Sequence, residues 1–206
     1  MKQKDVETRE RLLKSAAQLF ADRGFKKVTV RDICRAARAN VASVNYHFGD
    51  KTGLYREVLQ LAIDTMRATT DAAREAGEGQ PAEERLRRYI KVSMCRMMAG
   101  GGTSWISRLI HREITDPTPT FDTLSEQAFR PRIDDLSGIV AEILGCEADD
   151  PRVTQSVASI HAQWMIFVPS PVASRLRAKL QLRADDPAKL ADHVSRFSLA
   201  GIHALQ

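Results

Sequence analysis

Between Asn40 and Lys51 the chain reads NVASVNYHFGDK, which gathers amide, hydroxyl, phenol, imidazole and ammonium groups in a short stretch. From Val41 to Phe48 it carries no carboxylate. Such a set is poorly equipped for acid–base catalysis and well equipped to hydrogen-bond base edges and phosphate oxygens. At about 100° per residue, Val41, Val44 and Phe48 fall on one side of a helix. Ala42, Ser43, Tyr46 and His47 fall on the other, with Asn45 near the boundary. Small residues allow a backbone into a groove, and Ser and Asn can read base edges. Lys51 lies in the first turn of the next element, where an ammonium adds to the positive helix end. Thr29 and Arg31 open the preceding one. Each group also has a plainer role: Tyr46 as core, His47 and Lys51 as solvated side chains.

The elements that must hold these groups follow from periodicity. Leu12, Leu13, Ala16, Ala17 and Phe20 recur at helical steps between Thr8 and Arg23, and Gly24 stops that helix. Thr29 is a plausible N-cap for a short helix carrying Val30, Ile33, Ala36 and Ala37. Asn40 caps the next, from Val41 to about Phe48, which Gly49 ends; Asp50 caps a long helix from Lys51 to about Glu75. Two short helices behind a supporting one form the unit that presents a helix to the major groove of DNA.

Beyond a linker at 76–82 (AGEGQPA), further helices are expected near 83–99, 103–115, 120–144, 151–168, 172–182 and 187–204. GGG at 100–102, Pro117, Pro119, Gly145, Pro169 and Pro171 separate them, and Pro131 should kink or break its helix. Asp149–Asp150 and Asp185–Asp186 precede prolines and behave as caps. No strand pattern or repeat appears. The expected class is all-α: a three-helix helix-turn-helix head at 6–66 on a helical trunk at 67–206.

Charge supports that division. The 206-residue chain has a net charge of +5. Residues 1–55 carry 12 Lys/Arg against 6 Asp/Glu, whereas the rest carries 19 against 20. A basic head on a neutral trunk suits a polyanion, although an unevenly charged solvated surface would look the same. No apolar run approaches the roughly 18 residues of a membrane span. Cys34, Cys95 and Cys146 form no CxxC, and the five histidines lack metal-ligand spacing. The expectation is a cytoplasmic protein without membrane association, cofactor or metal.

Enzyme readings find little. No GxSxG, Walker loop or Rossmann fingerprint occurs. His111-Arg112-Glu113 spells HxE, but no PCxxC follows, so a zinc deaminase is unsupported.

The runs AAQLFADRGFKKVTVRDICRAA and VNYHFGDKTGLY make residues 8–55 resemble the DNA-binding domain of the TetR family of bacterial transcriptional regulators. The aromatic–His–Phe run, with Lys three residues beyond Phe48, is its most specific mark. The family often has Gly where Arg38 stands, Val at Ala39 and Tyr at Asn45. The resemblance implies phosphate contacts from Thr29, Tyr46, His47 and Lys51. It places Asn40, Ala42, Ser43 and Asn45 at positions approaching bases or adjacent backbone. Residues 110–168, including REITDPTPTFDTLSEQAFRPRIDDLSGIVAEILGCEADDP, are also similar to the C-terminal domain of the CecR-like branch. That branch comprises regulators linked to drug sensitivity and transport.

The resemblance further implies a homodimer that binds double-stranded operator DNA and answers a small-molecule effector in the trunk, most simply as a repressor. Val157, Ala158, Ile160 and Trp164 in one late helix, with Leu190, Val194, Phe197, Leu199 and Ile202 in the last, form apolar sides suited to pairing with their twins or to closing the monomer's own core. Effector-pocket candidates are Trp105, Leu109, His111, Phe121, Phe129 and Trp164, which could equally be core. Arg108, Arg112 and Glu113 are candidates for a charged ligand or for a solvated face. A helical protein whose head binds another protein is the rival reading, and salt dependence separates the two.

Overall fold

The computed structural model describes residues 3–99, 104–168, 171–183 and 185–206, and the GGG and Pro169 boundaries lie outside them. No strand occurs among the described residues. The helices are α1 (Gln3–Arg23), α2 (Val30–Ala37), α3 (Val41–Phe48), α4 (Lys51–Gly77), α5 (Ala82–Met98) and α6 (Ser104–Thr115). They continue as α7 (Phe121–Leu124), a π-helical turn (Ser125–Phe129), α8 (Arg130–Leu144), α9 (Pro151–Met165), α10 (Pro171–Lys179) and α11 (Pro187–His203). The all-α expectation holds.

The chain groups into two compact units. One runs to Asp64 and takes in Trp105–Leu124; the other begins at Thr65 and includes Ser125–Gln206.

In the first unit, α1 sends Leu12, Ala16, Ala17 and Phe20 inward to meet Ile33 of α2, Val44 and Phe48 of α3, and Leu54, Tyr55 and Val58 of α4. Phe20 and Phe25 pack around the Tyr55 ring, with centroids at 4.9 and 4.8 Å. Gly24 adopts φ +81°, the left-handed conformation that ends α1. α6 belongs here too. Arg112 Nε donates to the Ala21 carbonyl at 2.8 Å and its Nη2 to the Asp22 carbonyl. Those carbonyls end α1 and lack helical partners, so a cation there is favourable.

The second unit packs α11 most extensively on α5, with α8 and α9 completing the layer. Its core holds Leu86, Ile90 and Met94 of α5, Leu136 and Val140 of α8, Val157 and Ile160 of α9, and Val194, Leu199 and Ile202 of α11. Asp150 and Asp186 cap α9 and α11, accepting from Arg152 N at 2.8 Å and Lys189 N at 3.0 Å. At Pro131 the α-helical pattern is interrupted: α8 starts at Arg130 with the proline in its first turn, directly after the π-helical turn. Proline cannot donate to the carbonyl four residues back and its ring crowds that carbonyl; the π-helical turn just upstream accommodates both effects.

Candidate nucleic-acid interface

α3 owes its start and its depth to local chemistry. Asn40 Oδ1 accepts from Ser43 N at 2.8 Å and from Ser43 Oγ at 2.9 Å. The cap thereby fixes the first turn and also spends the Ser43 proton, leaving that oxygen as an acceptor toward anything outside. Val44 and Phe48 are buried and seat the helix on α1 and α2. Val41 shares their side but is 45% exposed, because the first residue of α3 projects before the helix reaches its supports. Asn45 is exposed rather than at a boundary, alongside Ala42 and Tyr46. Tyr46 is 75% exposed, so its packing as core is overturned. His47 is half-buried between Tyr46 and Phe48, at ring centroid distances of 4.9 and 6.0 Å. The solvent-facing set of α3 is therefore Val41, Ala42, Asn45 and Tyr46, with Ser43 and His47 at its margins.

α2 starts in a full capping box. Asp32 N donates to Thr29 Oγ1 at 3.2 Å, and Thr29 N returns a bond to Asp32 Oδ2 at 3.1 Å. The Thr29 hydroxyl and amide hold the Asp32 carboxyl below its ordinary pKa, so it stays charged and paired with its own cap. Thr29 and Arg31 are exposed at this helix start. α2 ends at Arg38, whose φ of 51° and ψ of 48° put a non-glycine residue in the left-handed region, where it exposes its guanidinium side chain.

Lys51 has a part that its position alone did not suggest. Its Nζ donates to the carbonyls of Phe25 and Val28, both at 3.1 Å, and sits 4.3 Å from the centroid of the Phe25 ring. The ammonium ties the α1–α2 connection to the start of α4, and one of its three N–H groups remains for an external acceptor. Gly53, in the same turn, was not singled out by pattern. A Cβ there would land on the Phe48 carbonyl oxygen, so the sharp α3–α4 corner depends on this residue having no side chain.

α6 corrects the picture of Arg108, Arg112 and Glu113 as ligand contacts or a solvated face. Glu113 is 1% exposed and accepts from the Tyr55 hydroxyl through Oε1. Its Oε2 accepts from Thr118 N at 3.2 Å and Thr118 Oγ1 at 3.1 Å. Burial, followed by the neighbouring Glu113, pushes the Tyr55 phenol far above its usual pKa and keeps it a donor. Arg108 bonds Asp22 Oδ1 and Gln18 Oε1, each at 3.1 Å. No local signal links Glu113 to Tyr55, which lies 58 positions earlier.

The effector-pocket candidates divide between the units. Trp105 and Leu109 are buried and His111 and Phe121 half-buried in the first unit, with Phe129 half-buried and Trp164 buried in the second. A cleft of about 610 Å³ in the second unit, walled by Tyr89, Arg74, Arg85, Asp134 and Ile139 among others, includes none of the six. Among the described residues no group of His, Cys, Asp or Glu could hold a metal, and no helix is long and apolar enough to cross a membrane.

Comparison with known proteins places this architecture. Residues 12–58 match the family model of the bacterial regulatory proteins of the tetR family, and residues 82–202 match that of the C-terminal domain of the HTH-type transcriptional dual regulator CecR. The chain belongs to the TetR family of transcriptional regulators, a class of DNA-binding proteins and not of enzymes. Within that class its trunk is of the CecR type. CecR of Shigella flexneri is 27% identical over 172 residues, covering 80% of this chain and 77% of that protein. The repressor KstR2 of Mycolicibacterium smegmatis is 45% identical over 56 residues, 27% of each chain. The crystal structure of the TetR-family regulator PfmR from Thermus thermophilus shares the fold at TM-score 0.67 and 19% identity, covering 92% of this chain and 97% of that one.

Proposed function

We propose that this regulator is a homodimeric, cytoplasmic repressor that binds double-stranded operator DNA and leaves it when a small-molecule effector occupies the trunk. The observation that carries the DNA-binding part is the outer side of α3: Ala42, Asn45 and Tyr46 exposed, Ser43 and His47 at its margin, and no carboxylate along the helix. Thr29, Arg31, Tyr46, His47 and Lys51 are assigned to phosphate, and Asn40, Ala42, Ser43 and Asn45 to bases or nearby backbone.

The dimer reading draws support from what α9 and α11 leave uncovered. Val157, Ile160, Trp164, Val194, Leu199 and Ile202 close the unit's own core, whereas Ala158, Ala162 and Met165 on α9 and Phe197, Ala200 and Gly201 on α11 are exposed. Phe197 is 65% exposed, an unusual position for a large apolar ring unless a second copy covers it. Two heads joined in this way reach successive major grooves about 34–36 Å apart. α4 starts at Lys51 in the head and continues to Gly77, so an effector that favours one setting of α4 biases the heads. Release requires the effector to bind the non-DNA state better, since equal affinity shifts nothing.

Gel shift on the promoter of the protein's own gene tests the assignment. Affinity should fall linearly in log K against log salt and drop severely in a Tyr46→Ala, Lys51→Ala double variant. Wild-type affinity in that variant, or a salt-independent interaction, contradicts it. Exchanging Ser43 or Asn45 should change sequence preference rather than overall affinity.

A further inference from the structure

Three side chains of the second unit, one each from α5, α8 and α9, lie around Trp164. Its ring lies 5.1 Å from the His161 ring and 6.2 Å from the Tyr89 ring, centroid to centroid, with the Arg132 Cζ 5.6 Å from its centroid. Ser93 stands one turn beyond Tyr89 on the same side of α5. Trp164 is 6% exposed and Ser93 3%, yet neither the indole Nε1–H nor the Ser93 hydroxyl has a hydrogen-bond partner among the described residues. Buried donors are nearly always satisfied, so the Trp164 orphan, with a second orphan one turn along α5 from the Tyr89 that packs against it, marks a place where something else supplies acceptors.

Arg132 sharpens the chemistry. It is half-buried beside the Tyr89 phenol, and among the described residues it lies in no ion pair. The nearby carboxylate of Asp135, which also acts on Tyr89, is held by Arg74 Nη2 at 3.0 and 2.9 Å. The Tyr89 hydroxyl donates to the Arg132 carbonyl at 3.3 Å, and His161 Nδ1 lies 3.0 Å from the Val157 carbonyl. What remains is a cation with no ion-pair partner among the described residues and two neutral donors, with apolar walls from the core that contains Met94, Leu136 and Ile160. The complement of that set is an acceptor-only group, and a carboxylate fits a guanidinium in two-point fashion.

We propose that the effector of this regulator is an organic monocarboxylate with an apolar body, its carboxylate bound by Arg132 with the Trp164 indole and the Ser93 hydroxyl as further donors. The proposal rests on the ligand-responsive reading above and names the chemical class that reading leaves open.

The test uses the full-length protein and three matched probes: 4-phenylbutanoate, 4-phenylbutanamide and 4-phenylbutylamine. By calorimetry the carboxylate should bind about tenfold or more tightly than the amide, and the amine least. The indole ¹H–¹⁵N signal that disappears in Trp164→Phe should move downfield with the carboxylate only. In Arg132→Met the acid–amide difference should vanish, and in Ser93→Ala it should shrink. The wild-type comparison stands alone if either variant misfolds. Equal binding of acid and amide, preference for the amine, or an unmoved Trp164 signal overturns the proposal. Gel shift separates its failure from that of the switch. A carboxylate that binds at Trp164 without changing DNA affinity overturns the effector assignment, while the anion site itself is upheld. DNA release by the amine alone upholds the switch and overturns the anion.

Discussion

Replacing Lys51 with Ala separates two roles that the residue combines. Its ammonium makes two N–H···O=C bonds at 3.1 Å, long for charge-assisted bonds, so each is worth the low end of the usual range, about 1.5 kcal/mol. The Phe25 ring beneath it at 4.3 Å adds about 0.5 kcal/mol in this half-buried setting. Against this, the Phe25 and Val28 carbonyls regain water once the lysine is gone, which returns about 1 kcal/mol. The net expectation is a loss of about 2–3 kcal/mol, or about 5–10 °C in melting temperature for a chain of this size. The binding role has its own signature. If the remaining N–H meets a phosphate, the slope of log K against log salt should become shallower by about one unit in the variant, with sequence preference unchanged. Thermal melting and salt-titrated gel shifts of the same preparation read both. A variant that melts like wild type refutes the tether; one that melts early but keeps the full salt slope refutes the phosphate contact.

Three further outcomes follow from the first unit. Arg38→Gly should raise the unfolding midpoint in urea by the equivalent of about 0.5–1 kcal/mol, since it relieves a left-handed conformation that a side chain disfavours; no gain would mean that Arg38 is held by contacts worth as much. Gly53→Ala should cost about 2 kcal/mol or more and weaken operator binding, because the new methyl meets backbone that cannot swing aside, and near-wild-type melting would contradict the close approach. Tyr55→Phe should cost about 2 kcal/mol near pH 7 by leaving Glu113 Oε1 buried without a donor. The folded phenol titrates far above its unfolded value, so above about pH 10 the unfolded chain binds fewer protons and wild-type stability declines with rising pH. The variant lacks that decline, and denaturation curves from about pH 7 to 11 should show the two proteins converging.

The part of this regulator written in short-range patterns was legible from the chain alone. Thr29, Asn40 and Asp50 each accept a backbone N–H three residues onward, so these helix starts depend on neighbours in sequence. Val44 and Phe48, one turn apart, bury themselves as their spacing requires. What spacing could not reveal is which distant group each side chain meets. Val41 shares their helical phase but sits where no support lies beneath it, and the two carbonyls that engage Lys51 are brought to it by a loop more than twenty residues earlier.

α6 makes the same point at larger scale. Its amphipathic pattern announced a helix, and nothing in the pattern announced that Arg112 would close the end of α1 or that Glu113 would lie buried against Tyr55. The sequence by itself determined where helices begin and which carry an acid-free outer side, because caps and periodicity act within one or two turns. Only the tertiary structure decided which polar groups are satisfied inside and which, like the Trp164 indole, find no acceptor among the described residues, because burial and pairing are set by chain segments that meet only on folding.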